Sequence, residues 1–399
     1  MVARDALSVD SVDSVDDDFT PTREAALRRV ASIRPNDYAR SRNALDGAVT
    51  RLSPYLTHGF ISLPAVHTAV WARHAIDAQH KLLYEFGWRE YWHHVWSHRG
   101  DGIFDSLHEG LLPDDAYAAD LPADIREART GVPVIDRAVR ELYATGYLHN
   151  HVRMWLASYV VHLRKIYWRA GADWLYAHLL DGDLASNHLS WQWIAATASQ
   201  KPYLFNAENV AKYAPVEWHS PATVIDTSYE ALDVIARQPK PVSSDHLTDG
   251  TCEPPLLTVP PETLGFSAPD ATAIAGRDVW LVHPWSLDEP PSDLPPDCVT
   301  VAVAIADWHE RWTWSARRWQ FVGTRQHELA ALRWIADIES LQAGLAGART
   351  IHAIDDPHCG DALRRLRRDV LLRSVARLFS PVERCCDSFS QWWRLVQRH

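Results

Sequence analysis

The feature that most constrains the fold is a change in the spacing of apolar residues about 240 residues into the chain. From Pro21 to about Arg237, apolar residues recur at spacings of three and four, which predicts helices and few strands. Further on, short β-branched runs such as VWLVH, VTVAVAIA and TIHAI alternate with helical stretches. Strands that alternate with helices indicate a parallel sheet. We therefore predict a mainly α-helical domain followed by a C-terminal α/β domain with a Rossmann-like parallel sheet.

Composition places the domain boundaries. Residues 1–19 are acidic and of low complexity, which predicts a disordered tail. The helical domain spans 20–237, a proline-rich linker spans 238–275, and the α/β domain spans 276–399. The predicted helices are Glu24–Ile33, Pro64–Ala78, Lys81–His98, Val134–Ala144, His149–Trp168 and Leu189–Thr197, with two more near Thr324–Ala346 and Cys359–Leu378.

Charge and cysteine content exclude several classes of protein. A net charge of −11 argues against a protein that coats nucleic acid generally, although a local basic groove remains compatible with it. Five cysteines without a CxxC pair argue against a disulfide framework or a zinc site, and we predict no metal. The sequence has no apolar run of 18 residues and no signal-type N-terminus. We expect a soluble, cytoplasmic protein without a membrane partner.

Two stretches carry polar groups that could bind a ligand. In VTRLSPYLTHGFIS, Ser53 before Pro54 predicts an N-cap, and Thr50 and Arg51 add donors suited to phosphate. An ordinary capped helix explains these residues at least as well. In LLYEFGWREYWHH, Glu85, Trp88 and Arg89 share a helix face, which suits either a cavity that stacks a nucleobase or a surface ion pair beside a core indole.

The stretch DGDLASNHLSWQWIAAT crowds carboxylates, an amide and two indoles together. Asp183 is placed to cap the helix that follows. Asn187 and Trp191 share a face of that helix, whereas Trp193 points elsewhere. This pattern suits a planar cofactor with a substrate cavity beside it.

Four motifs in order resemble one known family. TRLS, YEFGWRE, GVPVIDRAVRELYATGYLHNHVRM and DGDLASNHLSWQW, between Asp37 and Pro215, are similar to the FAD-binding helical domain of photolyases and cryptochromes. The similarity is greatest to the photolyases that act on cyclobutane pyrimidine dimers. In that family an α/β antenna domain comes first, so the α/β segment at the end of this chain implies a permutation-like order. No particular antenna chromophore or oligomeric state is indicated.

The resemblance implies a role for each matching residue. FAD would be held by Tyr38, Thr50, Arg51, Leu52, Ser53, Asn150, Arg153, Asp181, Asp183 and Asn187. DNA containing a pyrimidine dimer would contact Glu85, Trp88, Arg89, Asn150, Met154, Trp193 and Lys201. Glu85 would stabilise the dimer radical and Asn187 would tune the flavin. Trp191 and Trp168 would be the inner members of an electron-transfer chain whose outer tryptophan is missing here, with Tyr117 as its candidate substitute.

The function implied is light-dependent DNA repair, in which electron transfer from FAD splits cyclobutane pyrimidine dimers. Two alternatives stay open. One is a cryptochrome-like blue-light photoreceptor that passes flavin photoreduction to a signalling partner. The acidic net charge, the missing outer tryptophan and the domain order favour that alternative. The other is a flavoprotein that has kept the fold and lost its photochemistry.

Overall fold

The computed structural model describes residues 19–243, 249–366 and 370–397. The predicted acidic tail lies outside the described residues except for Phe19, its last residue. Phe19 is only 6% exposed, and its ring centroid lies 5.0 Å from that of Tyr147. Phe19 therefore belongs to the packed structure and not to the predicted disordered tail.

The first part of the chain is helical, as its apolar spacing predicts. Its helices are α1 Arg23–Ser32, α2 Pro35–Ser41, α3 Ser53–Thr57, α4 Leu63–Trp71, α5 Lys81–Arg99, α6 Ala123–Arg126, α7 Pro133–Thr145, α8 Asn150–Ser158, α9 Trp168–His178, α10 Leu184–Ala195, α11 Ala207–Tyr213 and α12 Tyr229–Ala236. Within the described ranges, none of the helices is long and apolar enough to cross a bilayer.

Three details of the helical prediction are wrong. Helix α3 starts at Ser53 with Leu52 as its N-cap, so the Ser53 hydroxyl does not cap it. The helix predicted over Pro64–Ala78 already ends at Trp71. The helix predicted over His149–Trp168 is broken by a π-helical turn at Tyr159–Leu163 and by Lys165, whose φ of 54° no regular helix accommodates.

The second part of the chain is an α/β layer. Its strands are β1 Leu256–Leu257, β2 Asp278–Val282, β3 Val299–Ile305, β4 Trp314–Ser315, β5 Leu332–Ala336, β6 Thr350–Asp355 and β7 Val370–Ser374. Its helices are α13 Ala306–Arg311, α14 Ala316–Leu329, α15 Ile338–Gly344, α16 Gly360–Arg364 and α17 Phe389–Val396. The five-stranded sheet has the order β5-β3-β2-β6-β7, and every pair in it is parallel. This doubly wound order confirms the predicted Rossmann-like sheet.

The helices predicted in this part are partly wrong. Strand β5 lies inside the helix predicted over Thr324–Ala346, and most of the helix predicted over Cys359–Leu378 is replaced by the short α16 and by β7. Strands of a parallel sheet show continuous apolar runs, which the spacing of apolar residues cannot distinguish from a buried helix. Helix α17 was not predicted.

One of the apolar clusters contains side chains of both halves. Part of the proline-rich segment predicted as a linker is attached to the α/β half, because Leu256 and Leu257 pair with β4. Across the halves, the rings of Phe60 and Phe321 lie 5.3 Å apart, and those of Phe104 and Trp312 lie 5.1 Å apart. Side chains of the α/β half therefore reach into the helical half.

Candidate functional site

The loop before α3 holds a strained arginine. Arg51 has a φ of 49°, in the left-handed region that residues other than glycine seldom adopt. Its guanidinium lies 5.1 Å from the ring centroids of both Phe19 and Tyr147. Backbone strain of this kind persists where the surroundings hold it, and it concentrates at functional sites. Thr50 accepts a hydrogen bond from the Leu52 N–H at 3.4 Å, and Leu52 is 1% exposed, so these two neighbours shape the loop.

A buried ion pair joins two of the predicted motifs. Arg153 Nη2 donates to Asp181 Oδ2 at 2.9 Å, and Arg153 Nε donates to the Leu148 carbonyl at 2.9 Å. The Asp181 side chain is 3% exposed, so its charge depends on this pair. Among the described residues, no hydrogen-bond partner is found for Asp181 Oδ1. A buried carboxylate oxygen without a partner in the protein is an acceptor for a ligand that carries an N–H or O–H group.

Glu85, on α5, contacts Arg42 at the end of α2. Its Oε1 lies 3.4 Å from Arg42 Nε, and 41% of its side chain is accessible. Burial nevertheless raises the pKa of Glu85, and it raises that of Tyr38 nearby. A side chain can be surrounded by protein and reached by solvent only if it lines a concave surface. We therefore infer that Glu85 and Tyr38 face one cleft. The partner of Glu85 is Arg42, whereas α-helical spacing alone suggested Arg89.

The residues predicted to contact DNA differ in their exposure. Trp88 is half-buried and stacks on Phe389 of α17 at 4.1 Å, with 11° between the rings. Trp193 is 36% exposed, and its nearest described ring, that of Tyr203, lies 6.2 Å away. On α8, Asn150 Nδ2 lies 3.7 Å from Met154 Sδ. Arg89 is half-buried and Lys201 is exposed.

Asp183 is held by the protein at both carboxylate oxygens. It caps α10 by accepting from the Ser186 N–H at 2.7 Å, which confirms the predicted cap. Its Oδ2 accepts from His93 Nε2 at 2.9 Å. Burial alone raises the pKa of this carboxyl, but the charge and hydrogen bond of His93, with the charge of Arg89, hold the pKa well below its ordinary value. Asp183 thereby anchors the turn that carries Asp181.

Replacing Asp183 by Asn should lower the free energy of unfolding by about 2 kcal/mol at pH 7, because the amide still caps α10 but loses the charge. The folded pKa lies below the ordinary value of 3.8, so the carboxylate stabilises the fold above that pH and its contribution is lost as the pH falls further. Urea unfolding should show the full loss at pH 7 and a smaller loss at pH 3, where the carboxyl of the unfolded chain is already largely protonated. Asp337→Asn, at the exposed N-cap of α15, is the matched control and should change little. Equal losses at both pH values would refute this role.

The remaining predicted residues are buried or half-buried in the helical half. Asn187 Nδ2 donates to the Ala172 carbonyl at 2.8 Å, which fixes the orientation of its amide. Trp191 and Trp168 are each 2% exposed, and Trp191 packs so closely on α9 that a Cβ at Gly171 would lie 2.4 Å from the indole. Trp168 Nε1 donates to Ser106 Oγ at 3.0 Å. Tyr117 is half-buried in the same apolar cluster as these indoles.

The site also contains residues that the sequence did not single out. Arg42 pairs with Glu85, Tyr147 lies between Arg51 and Arg153, and His93 holds Asp183. Tyr147 belongs to the motif ATGYLHN and could have been found there. The other two act through contacts between distant parts of the chain, which local spacing does not reveal.

This set of groups fits FAD. It offers arginine donors, the free Asp181 Oδ1 acceptor, and aromatic rings such as those of Tyr38 and Tyr147, which suit phosphates, heterocyclic N–H groups and flat rings respectively. Ser186 Oγ, in the first turn of α10, is another buried polar atom for which the described residues provide no partner. We propose that Arg51, Arg153 and Asp181 hold the cofactor.

Comparison with known proteins identifies this domain. Residues 82–219 match the family profile described as the FAD binding domain of DNA photolyase, which gives FAD as the cofactor. A deoxyribodipyrimidine photo-lyase from Synechococcus sp. is 34% identical over 208 residues, which are 48% of this chain and 43% of that protein. Cryptochrome-1 of Arabidopsis thaliana is 32% identical over 177 residues, which are 40% of this chain and 25% of that protein.

Among solved structures, a Synechocystis cryptochrome matches with a TM-score of 0.43 and 28% identity, covering 48% of this chain and 43% of the other. The matched region thus spans less than half of each of these relatives.

Proposed function

Because its helical half contains the FAD-binding domain of the photolyase/cryptochrome family, this chain belongs to that family, and we propose that it is a light-dependent DNA-repair lyase. Its proposed substrate is the cyclobutane pyrimidine dimer in DNA. FAD, when bound, supplies the light-driven electron transfer that splits the cyclobutane ring and recovers the electron. The chain's own residues bind the cofactor, receive the lesion and hold the charges in place.

The observation that carries the proposal is the accessible Glu85 in a cleft beside an indole. Glu85 keeps 41% of its side chain accessible although burial raises its pKa, and Trp88 lies one helical turn further along α5. A carboxyl group in such a cleft can hydrogen-bond to the edge of a flipped-out base, and an indole can stack on its face. Trp193, 36% exposed, offers a second stacking surface.

The other predicted residues would contact the lesion, contact DNA phosphates or carry electrons. Asn150 and Met154 lie on one face of the first turns of α8. By the resemblance to dimer photolyases, these two residues would contact the lesion. Arg89 and Lys201 would contact DNA phosphates. The buried Trp191 and Trp168 would carry electrons to the cofactor, with Tyr117, which packs against the same apolar cluster, as the candidate substitute for the missing outer tryptophan.

A cryptochrome-like photoreceptor is the second candidate. The similarity to Cryptochrome-1, at 32% identity, is close to that found with the photolyase, at 34%. In such a protein the α/β half, which shares a core with the helical half, would pass the change in flavin state to a signalling partner.

Illumination separates the two candidates. The purified protein with reduced FAD should restore the thymine absorbance of single- or double-stranded DNA that contains pyrimidine dimers. Glu85→Ala should slow this repair by about tenfold or more, since one hydrogen bond to a charged group is lost, and should leave FAD absorbance unchanged.

Glu127→Ala is a matched control, because Glu127 is 43% exposed and also pairs with an arginine, Arg129, away from the cleft. It should repair at the wild-type rate. If the FAD-loaded wild type shows no light-dependent recovery, the repair proposal is wrong and the photoreceptor remains. If Glu85→Ala loses FAD instead, Glu85 belongs to the cofactor site rather than to the lesion site.

A further inference from the structure

The α/β half inserts one arginine into the turn that carries the cofactor-binding aspartates. Arg318, in the first turn of α14, is fully buried. Its Nη1 donates to the Tyr176 carbonyl at 2.9 Å and its Nη2 donates to the Gly182 carbonyl at 2.5 Å. Gly182 leaves room for this contact, since a Cβ there would lie 2.3 Å from Arg318 Nη1. The turn is thus built around a side chain from the other half of the protein.

The surroundings of Arg318 are unusual for a buried cation. Its guanidinium lies over two aromatic rings, 4.0 Å from the centroid of Trp314 and 4.6 Å from that of Tyr176. Burial lowers the pKa of Arg318, and the charges of Asp181 and Asp183 act in the opposite direction. A guanidinium stays charged even so, because its ordinary pKa is above about 12. Arg318 is therefore a fixed positive charge that interacts electrostatically with both carboxylates.

A second residue of the α/β half holds the same turn from its far end. His358 Nε2 accepts from the Leu184 N–H at 3.3 Å and lies 3.7 Å from Asp183 Oδ2. His358 Nδ1 donates to Asp356 Oδ1 at 2.7 Å, and the imidazole stacks on Trp285 at 4.6 Å. These residues follow β2 and β6, the adjacent strands at the topological switch point of the sheet. The edge where doubly wound sheets usually bind a ligand is here packed on the flavin-binding half.

We infer that Arg318 is a positioning residue of the FAD site, through which the α/β half sets both the affinity for FAD and its reduction potential. Arg318 fixes the Gly182 carbonyl and so the backbone from which Asp181 projects. Its charge also favours the reduced cofactor, because reduction adds negative charge to the flavin. The inference rests on FAD binding alone and not on the proposed repair of DNA.

The test compares Arg318→Met and Arg318→Lys with the wild type in the full chain. Reconstitution of the apoprotein with FAD should show at least about tenfold weaker binding for Arg318→Met, the loss expected for one charge-assisted hydrogen bond. Spectroelectrochemical titration of the bound FAD should show a more negative midpoint potential. Arg318→Lys keeps the charge but cannot bond to both carbonyls in the same way. It should therefore weaken FAD binding and leave the midpoint potential of FAD near that of the wild type.

Arg325→Met is the matched control. Arg325 lies two turns further along α14, is 5% exposed, and bonds to Leu287, Glu289 and Glu328 instead of to the turn. It should lower the melting temperature without changing FAD affinity or potential. Wild-type affinity and potential in Arg318→Met, or equal losses in Arg325→Met, would overturn the inference. If Arg318→Met does not fold, the same comparison between Arg318→Lys and Arg325→Met on FAD affinity decides it.

Discussion

Replacing Arg153 by Met should remove most of the affinity for FAD and also destabilise the apoprotein. Arg153 donates to Asp181 at 2.9 Å, and the Asp181 side chain is only 3% exposed. Without its partner, a buried carboxylate stays unpaired, and such a change costs about 3–5 kcal/mol. FAD affinity should fall by roughly tenfold to a hundredfold, since the cofactor loses one or more charged hydrogen-bond partners.

A double variant separates stability from binding. In Arg153→Met with Asp181→Asn, no uncompensated charge remains, so the free energy of unfolding should recover to within about 1 kcal/mol of the wild type. FAD affinity should stay low, because neither charged group is present to meet the cofactor. Urea unfolding of the apoprotein gives the first quantity, and titration with FAD followed by its absorbance gives the second. Recovery of both would mean that the pair serves the fold alone.

The fold was largely readable from local spacing because helices and buried strands leave periodic signals. The parallel sheet was predicted from β2, β3 and β6, whose β-branched runs are short and separate. Strands β5 and β7 were not predicted, because each contains an arginine and closely follows a helix. Their apolar and polar residues therefore continue the helical spacing of the preceding segment. Ser53 was misplaced by one position because a serine before a proline fits both the cap and the first helical residue.

The site could be predicted only in part, because several of its contacts join residues that are far apart in the sequence. Asp183 as the cap of α10 is a local contact, and the sequence predicted it. Glu85 pairs with Arg42, 43 residues away, where helical spacing suggested Arg89. The contacts of Arg318 with Tyr176 and Gly182 join residues 142 and 136 positions apart. The first pair depends on how α2 and α5 pack and the Arg318 contacts depend on how the two halves pack, and no spacing within a motif encodes either.

Replacing Lys165 by Met should destabilise the protein by roughly 3–5 kcal/mol, as expected when a buried charged group that satisfies several acceptors is removed. Lys165 is 2% exposed, and its Nζ donates to the carbonyls of His162, Ile235 and Ala236 at 2.7, 2.8 and 2.8 Å. It thereby closes the end of the π-helical turn and the end of α12 together. The methionine keeps the bulk and the backbone strain at φ 54° but leaves three carbonyls without a donor.

The pH dependence of this loss follows from the pKa of Lys165. Burial lowers that pKa from its ordinary 10.5 to about 8, so the ammonium is still charged at pH 7. Between these two values the unfolded chain binds more protons than the folded one, so the contribution of Lys165 to stability increases as the pH rises from about 8 to 10.5. Urea unfolding at pH 7 and pH 9.5 should therefore show a larger difference between wild type and Lys165→Met at the higher pH. Lys240→Met, at an exposed position after α12, should have the same free energy of unfolding as the wild type at both pH values. A similar loss in Lys240→Met would show that the hydrogen bonds of Lys165 to three carbonyls do not explain the effect.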